Sequence, residues 1–163
     1  MTKVKRLFDV PYYQLEKYPT DKCLVTKYKG KWEATSTQEY INKANALSRG
    51  LLRLGVNKND KVAIISMTNR TEWNICDIGI LQLAAQDVPI YPTISEEEYE
   101  YVLNHSESVV CFVSCKEVLD KVNKITIRWG ICYLGIPFTF WQKVSFIIYS
   151  NVKGVLNCQS LLP

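Results

Sequence analysis

The chain is expected to fold as an α/β protein: part of a doubly wound, mostly parallel sheet with flanking helices, preceded by an N-terminal hairpin. Three observations carry this. Short apolar, β-branched runs at residues 62–66 (VAIIS), 88–91 (VPIY) and 109–113 (VVCFV) have the look of buried strands. Amphipathic stretches with helix-start signals lie between them. Strand and helix therefore alternate, the pattern of βαβ units and parallel pairing.

The elements follow in order. Residues 11–18 (PYYQLEKY) read as a short leading helix or turn. Residues 22–27 and 31–34 flank Tyr28-Lys29-Gly30, a hairpin around a Lys-Gly turn. Ser36 and Glu39 have capping-box spacing, in which the serine accepts from the backbone three residues on and the glutamate reaches back. Behind them Tyr40, Ala44, Leu47, Leu51 and Leu54 recur at helical spacing, and Gly55 supplies a stop. A helix is expected over residues 37–54. After the strand at 62–66, Thr71 or Asn69 is the expected cap of the next helix, with Glu72 in its first turn and Trp73, Cys76, Ile80 and Leu83 as its apolar stripe. Pro92 ends the strand at 88–91. Ser95 and Glu98 form a second capping box for a helix running to about Asn104. The strand at 109–113 and a helix over 116–124 complete the pattern.

Past Lys124 the composition changes. All sixteen acidic residues and seventeen of the twenty basic ones lie at or before Lys124, so that part is near neutral. The remainder has Arg128, Lys143 and Lys153 as its only charges and is dense in Trp, Phe, Tyr and Ile. The expected organisation is therefore a domain part over 1–124 and an apolar tail over 125–163. Three readings of the tail stand. A transmembrane helix over 129–149 would have to bury Pro137, Gln142 and Lys143, and a central charge costs about 2.5–3.5 kcal/mol. The tail would otherwise complete the core, or it is the product of a shifted reading frame near Lys124 and Ile125, the reading favoured here.

Several function classes are excluded by composition. A net charge of +4 without a basic helix face or aromatic–basic interleaving is no nucleic-acid footprint. Six cysteines with no export signal at the start point to free thiols in a reducing cytosol. Cys76, Cys111 and Cys115 sit among apolar neighbours as small hydrophobes. One histidine, His105, at a helix end, supports neither a nucleophile–base pair nor a zinc site. The seven glycines form no phosphate-cradling loop. Glu96, Glu97 and Glu98 suit a first helical turn better than a metal or an acid–base pair. Trp73, Tyr91 and Tyr99 are read as core aromatics rather than the lining of an acyl tunnel. No catalytic, cofactor-binding or metal-ligating residue is assigned.

Leu54-Gly55-Val56, Asp60-Lys-Val-Ala-Ile64, Asn69-Arg-Thr-Glu-Trp73 and Val88-Pro-Ile-Tyr-Pro-Thr93 stand in order, behind a segment from Tyr12 to Ser36. Over residues 11–124 this combination resembles the N-terminal part of long-chain fatty acid–CoA ligases of the adenylate-forming superfamily. Tyr91-Pro-Thr-Ile-Ser95 leans toward the long-chain group. The resemblance implies ATP- and Mg²⁺-dependent formation of an acyl-adenylate from a fatty acid, then displacement of AMP by coenzyme A. That family's phosphate loop, resembling Thr-Ser-Gly-Thr-Thr-Gly, has no match here, nor do its ribose-holding Asp and the Lys of its small C-terminal domain. ATP, Mg²⁺ and coenzyme A thus belong to the intact family, none is expected to bind fully to this chain, and the chain is expected to be inactive alone. Exposed strand edges and apolar helix faces would favour self-association and poor solubility. A cytoplasmic location is expected, with a peripheral membrane contact left open. The alternative is a small α/β binding module that uses the apolar tail for a partner or a membrane.

Overall fold

The computed structural model describes residues 4–125, together with the backbone of two strands at Cys132–Gly135 and Ile147–Ser150. It divides into two compact units, Met1–Lys58 with Asn69–Ala84, and Asn59–Thr68 with Ala85–Pro163.

In the first unit a 3₁₀ turn, Leu7–Asp9, leads into α1 (Val10–Lys17), where Pro11 sits at a position whose N–H has no helical partner to lose. The expected hairpin is present as β1 (Leu24–Tyr28) and β2 (Lys31–Thr35), paired antiparallel from Leu24↔Thr35 to Tyr28↔Lys31. Its two turn residues, Lys29 and Gly30, both have positive φ, 45° and 83°, which matches the right-handed strand twist. The first capping box forms at α2 (Thr37–Arg53): Ser36 Oγ accepts from the Glu39 N–H at 3.2 Å, and Glu39 Oε2 accepts from the Ser36 N–H at 2.9 Å. The helix ends in a Schellman motif. Gly55, at φ 86°, donates its N–H to Leu52 O, while the Val56 N–H reaches Leu51 O. Leu51 and Val56 are both buried at this turn.

α3 (Thr71–Leu81) departs from expectation at its start. Neither Thr71 nor Asn69 caps it. Arg70 occupies the cap position, and the Thr71 N–H donates instead to Thr26 Oγ1 of β1 at 2.9 Å. The cap comes from across the fold, so local sequence could not reveal it. The apolar stripe is also broader than read. Ile75, Cys76, Ile78, Gly79 and Ile80 are all buried, while Trp73 and Leu83 are half-buried.

The second unit holds a five-stranded sheet in the order β4-β3-β5-β6-β7. β3 (Lys61–Ile65) lies between β4 (Gln86–Ile90) and β5 (Ser108–Val113), parallel to both. β6 (Cys132–Gly135) adds in parallel to β5, and β7 (Ile147–Ser150) pairs antiparallel with β6. Those two strands occupy positions that a membrane-spanning helix over 129–149 would need, and among the described residues no helix is long and apolar enough to cross a membrane. β4 begins earlier than read and tolerates Pro89 inside it. The strand lies at the sheet edge, where a missing N–H breaks no ladder and Pro89 blunts further pairing.

Ser95 and Glu98 make the second capping box, opening α4 (Glu96–Ser106); α5 (Lys116–Val122) follows β5. Alternate strand residues Ala63, Ile65, Ile90, Cys111 and Val113 pack with Tyr99 and Leu103 of α4 and Val118 and Val122 of α5 into one core. Each capping serine is worth about 1 kcal/mol to its helix. Tyr99 is fully buried and its hydroxyl has no hydrogen-bond partner among the described residues. Burial pushes the phenol up to about 12, and Cys111, Cys115 and Glu117 act in the same direction. An unpaired buried hydroxyl carries its desolvation cost without return. Tyr99→Phe should therefore raise stability by about 1 kcal/mol in urea unfolding; a loss of that size would mean the hydroxyl finds a partner.

Candidate functional site

In open α/β sheets, ligands bind beyond the carboxyl ends of the strands where strand order reverses. Here that point lies between β3 and β5, since β4 and β5 flank β3 on opposite sides. The segment Ser66-Met67-Thr68 leaves β3 and Ser114-Cys115 leaves β5. Their polar atoms serve each other. The Ser114 N–H donates to Ile65 O at 3.0 Å, the Met67 N–H donates to Ser114 Oγ at 3.0 Å, and Ser66 Oγ donates to Thr68 O at 2.8 Å. Ser114 thus laces the two strand ends together. The place is right for a ligand, but these residues bring no carboxylate, imidazole or ammonium group to it.

The Asn-Arg-Thr-Glu-Trp segment proves to be a structural fastening. The Arg70 guanidinium meets Glu72 in a fork, Nε to Oε2 at 3.2 Å and a terminal nitrogen to Oε1 at 3.0 Å. Only 5% of the Arg70 side chain and 16% of the Glu72 side chain are exposed. Asn74 Nδ2 donates to Arg70 O, and the Thr71 and Thr26 hydroxyls lie 2.8 Å apart. The glutamate also suits the helix N-terminus electrostatically. This cluster orients α3 against the hairpin.

A second polar network ties α1, α2 and α3. Tyr12 donates to Asn45 Oδ1 at 2.8 Å and accepts from Gln82 Nε2 at 2.9 Å. The Ser48 hydroxyl lies 2.8 Å from Gly79 O and 2.7 Å from Gln82 Oε1. A side chain at Gly79 would crowd Leu47 and the Ala44 carbonyl, so this glycine permits the close approach of α2 and α3. Sequence reading passed over Gly79, although an isolated glycine in a helical pattern was the available signal. An open depression of about 480 Å³ lies between the end of α1 and the start of α2, lined in part by Leu15, Asp21 and Gln38. Two of its residues satisfy one another: the Thr37 N–H donates to Thr20 O, and the Thr20 N–H donates to Thr37 Oγ1.

The other residues weighed from sequence are not drawn into one site. His105 is exposed in the last turn of α4 and stacks on Tyr101, ring centroids 5.4 Å apart. Glu98 is taken by its cap, Glu96 accepts from Lys124 Nζ at 2.8 Å, and Glu97 is exposed. Tyr99 is core, as read, but Tyr91 is 77% exposed, because it follows the edge strand and its side chain has left the sheet. Among the described residues no three potential ligands converge on a metal position. Cys23, Cys76, Cys111 and Cys115 are free thiols; Cys132 and Cys158 lie outside the described side chains. Burial pushes the Cys76 and Cys111 thiols far up. In native buffer a thiol reagent should label Cys23 and Cys115 well before Cys76 and Cys111, with the latter pair reacting only on unfolding. Fast native labelling of that pair, read by peptide mass spectrometry, would contradict the packing described.

The sheet with its flanking helices is the fold of the adenylate-forming ligases. A benzoate CoA ligase from Burkholderia xenovorans superposes with a TM-score of 0.67 at 17% identity, over 81% of this chain and 26% of that one. The sequence adds the family. A profile described as AMP-binding enzyme matches residues 12–139, and the chain belongs to that family. The match runs past Lys124. Among relatives, the long-chain-fatty-acid–CoA ligase FadD15 of Mycobacterium bovis is 45% identical over 83 residues, covering 51% of this chain and 14% of the relative. Fatty acyl-CoA synthetase A of Dictyostelium discoideum is 33% identical over 128 residues, covering 77% of this chain and 19% of the relative. The chain thus spans less than a fifth of the length of either relative.

Proposed function

We propose that this chain is the N-terminal part of a long-chain fatty acid–CoA ligase and serves that enzyme as scaffold rather than as reaction centre. The observation that carries the reading is the identity to FadD15 and to fatty acyl-CoA synthetase A, whose names state the activity. In the reaction proposed for the intact enzyme, a fatty acid carboxylate attacks the α-phosphorus of ATP, with Mg²⁺ screening the phosphates. Pyrophosphate leaves, and the thiol of coenzyme A then displaces AMP from the acyl-adenylate. Such catalysis rests on positioning and on charge stabilisation. That machinery is assigned to the remainder of the enzyme, since this chain spans less than a fifth of the two relatives compared. Its contribution is a parallel sheet with Ser114-laced strand ends and a hairpin-capped α3.

The same reading takes residues 1–124 as the ligase segment and residues 125–163 as out of frame, although the family match that continues to residue 139 weighs against a break as early as Lys124. Sequencing the coding DNA beyond codon 124 should recover, in a neighbouring frame, acidic capped segments and then a Thr-Ser-Gly-Thr-Thr-Gly-like loop. The functional test is a chimera in which residues 1–124 replace the corresponding segment of fatty acyl-CoA synthetase A, which this chain matches over 128 residues. Palmitate-dependent exchange of pyrophosphate into ATP is expected from the chimera and not from the chain alone. A soluble chimera without exchange would sink the ligase reading, and exchange by the chain alone would sink its role as scaffold only.

A further inference from the structure

The hairpin leaves one strand edge open. β2 belongs to a two-stranded sheet, so β1 is its one strand neighbour among the described residues, and Lys31, Trp32, Glu33 and Ala34 are all exposed. Trp32 is 70% exposed, with the Lys27 ammonium 5.7 Å from its ring centre. Across the two-residue turn, Tyr28 and Lys31 form the first hydrogen-bonded pair. Such pairs alternate along an antiparallel ladder, so Glu33 also turns its N–H and C=O toward β1, and Trp32 turns its own outward. Edge strands are commonly guarded by proline, as β4 is at Pro89, or by charges that repel a copy of themselves. β2 has no proline, and its two charges are opposite in sign and two residues apart. Within the hairpin Lys31 stands opposite Tyr28 and Glu33 opposite Thr26, and neither charge makes an ion pair among the described residues.

We propose that β2 is a self-association edge, pairing antiparallel with β2 of a second copy of this chain about a two-fold axis at Trp32. That register sets Trp32 opposite Trp32 and joins their outward N–H and C=O groups in a hydrogen-bonded pair. Lys31 of each copy then lies opposite Glu33 of the other. These are non-hydrogen-bonded pairs, in which Cα atoms come within about 4.5 Å and side chains approach most closely. The neighbouring register, centred on Glu33, sets the two glutamates against each other and is disfavoured. Complementary charge therefore selects both the partner and the register, because the strand that satisfies Lys31-Trp-Glu33 across an antiparallel ladder is its own reverse. The contact is isologous, so it closes at a dimer. It also joins two hairpins into four strands, and a two-stranded hairpin gains stability from added strands. The inference stands on the hairpin alone and does not depend on the ligase reading.

The test is sedimentation equilibrium of the full chain over a range of concentrations at low salt. A reversible monomer–dimer equilibrium is expected. Lys31→Glu and Glu33→Lys, both at exposed positions, should each weaken it about tenfold, because each sets like charges opposite one another. The two single variants mixed in equal amounts should associate as the parent does. The double variant Lys31→Glu/Glu33→Lys should dimerise by itself, since its pairs return with their signs exchanged. Lys58→Glu, at an exposed position outside the hairpin, should change nothing. A parent chain that stays monomeric overturns the proposal and leaves the edge to a different partner, such as a further segment of a longer protein. Association that ignores the charges at 31 and 33, as it would if it ran through residues 125–163, overturns it as well. So do single variants that mixing fails to rescue.

Discussion

Replacing Arg70 with alanine should cost the fold about 3 kcal/mol, the largest loss expected from any single truncation of a polar side chain here. Arg70 is almost wholly covered and Glu72 nearly so, and the fork between them is the partner that each charge meets on leaving water. Removing the cation leaves a carboxylate in a place too dry to solvate it well. The same residue sits at the cap position of α3, so its displacement also disturbs the Thr71–Thr26 contact. Urea unfolding followed by circular dichroism checks the value. The double variant Arg70→Ala/Glu72→Ala should lose less than the single one, because no charge is stranded. A single variant within about 0.5 kcal/mol of the parent would mean that water reaches Glu72 freely.

Gly79→Val should be nearly as damaging, at about 3 kcal/mol. A Cβ at this position would lie 2.8 Å from Leu47 Cδ2 and 3.1 Å from the Ala44 carbonyl oxygen. The leucine can swing aside, but the carbonyl belongs to the backbone of α2 and moves only with the helix. Spreading α2 from α3 would also stretch the 2.8 Å contact from Ser48 Oγ to Gly79 O. Gly79→Ala separates two effects of opposite sign: alanine favours the helix by about 1 kcal/mol, and its methyl still meets the carbonyl. Alanine should therefore land close to neutral or mildly destabilising, with valine far below it. Equal melting of the valine variant and the parent would show that the two helices are not in close contact.

These two residues also mark where sequence reading stopped. Whatever depends on neighbours along the chain was legible. Ser36 with Glu39, Ser95 with Glu98, the Lys29-Gly30 turn and the Gly55 stop all act within a few residues, and each forms as expected. The parallel pairing of β3, β4 and β5 was legible from the alternation of strand and helix, which leaves few other arrangements. What depends on distant partners was not. The Thr26 cap on α3 joins residues 45 apart in sequence, and the Ser48–Gly79 contact joins residues 31 apart. Tyr91 was read as core because aromatics usually are, yet its strand lies at an edge, which only the strand order reveals. β6 and β7 carry no period or cap to announce them. The candidate site was legible mainly in the family motifs, and these turn out to hold helices and strands in place.

The central place of β3 bears on how the polypeptide leaves the ribosome. Ile65 pairs with Ile90 on one side and with Val113 on the other, and both partners are translated after it. A nascent chain ending before Ser108 therefore carries one of its most apolar strands with a vacant flank. Parallel partners cannot be reached by a tight turn, so the wait is built into the topology. Translation pauses in this interval, or cleavage of the chain between β4 and β5, would release a species ready to recruit the same strand from another molecule.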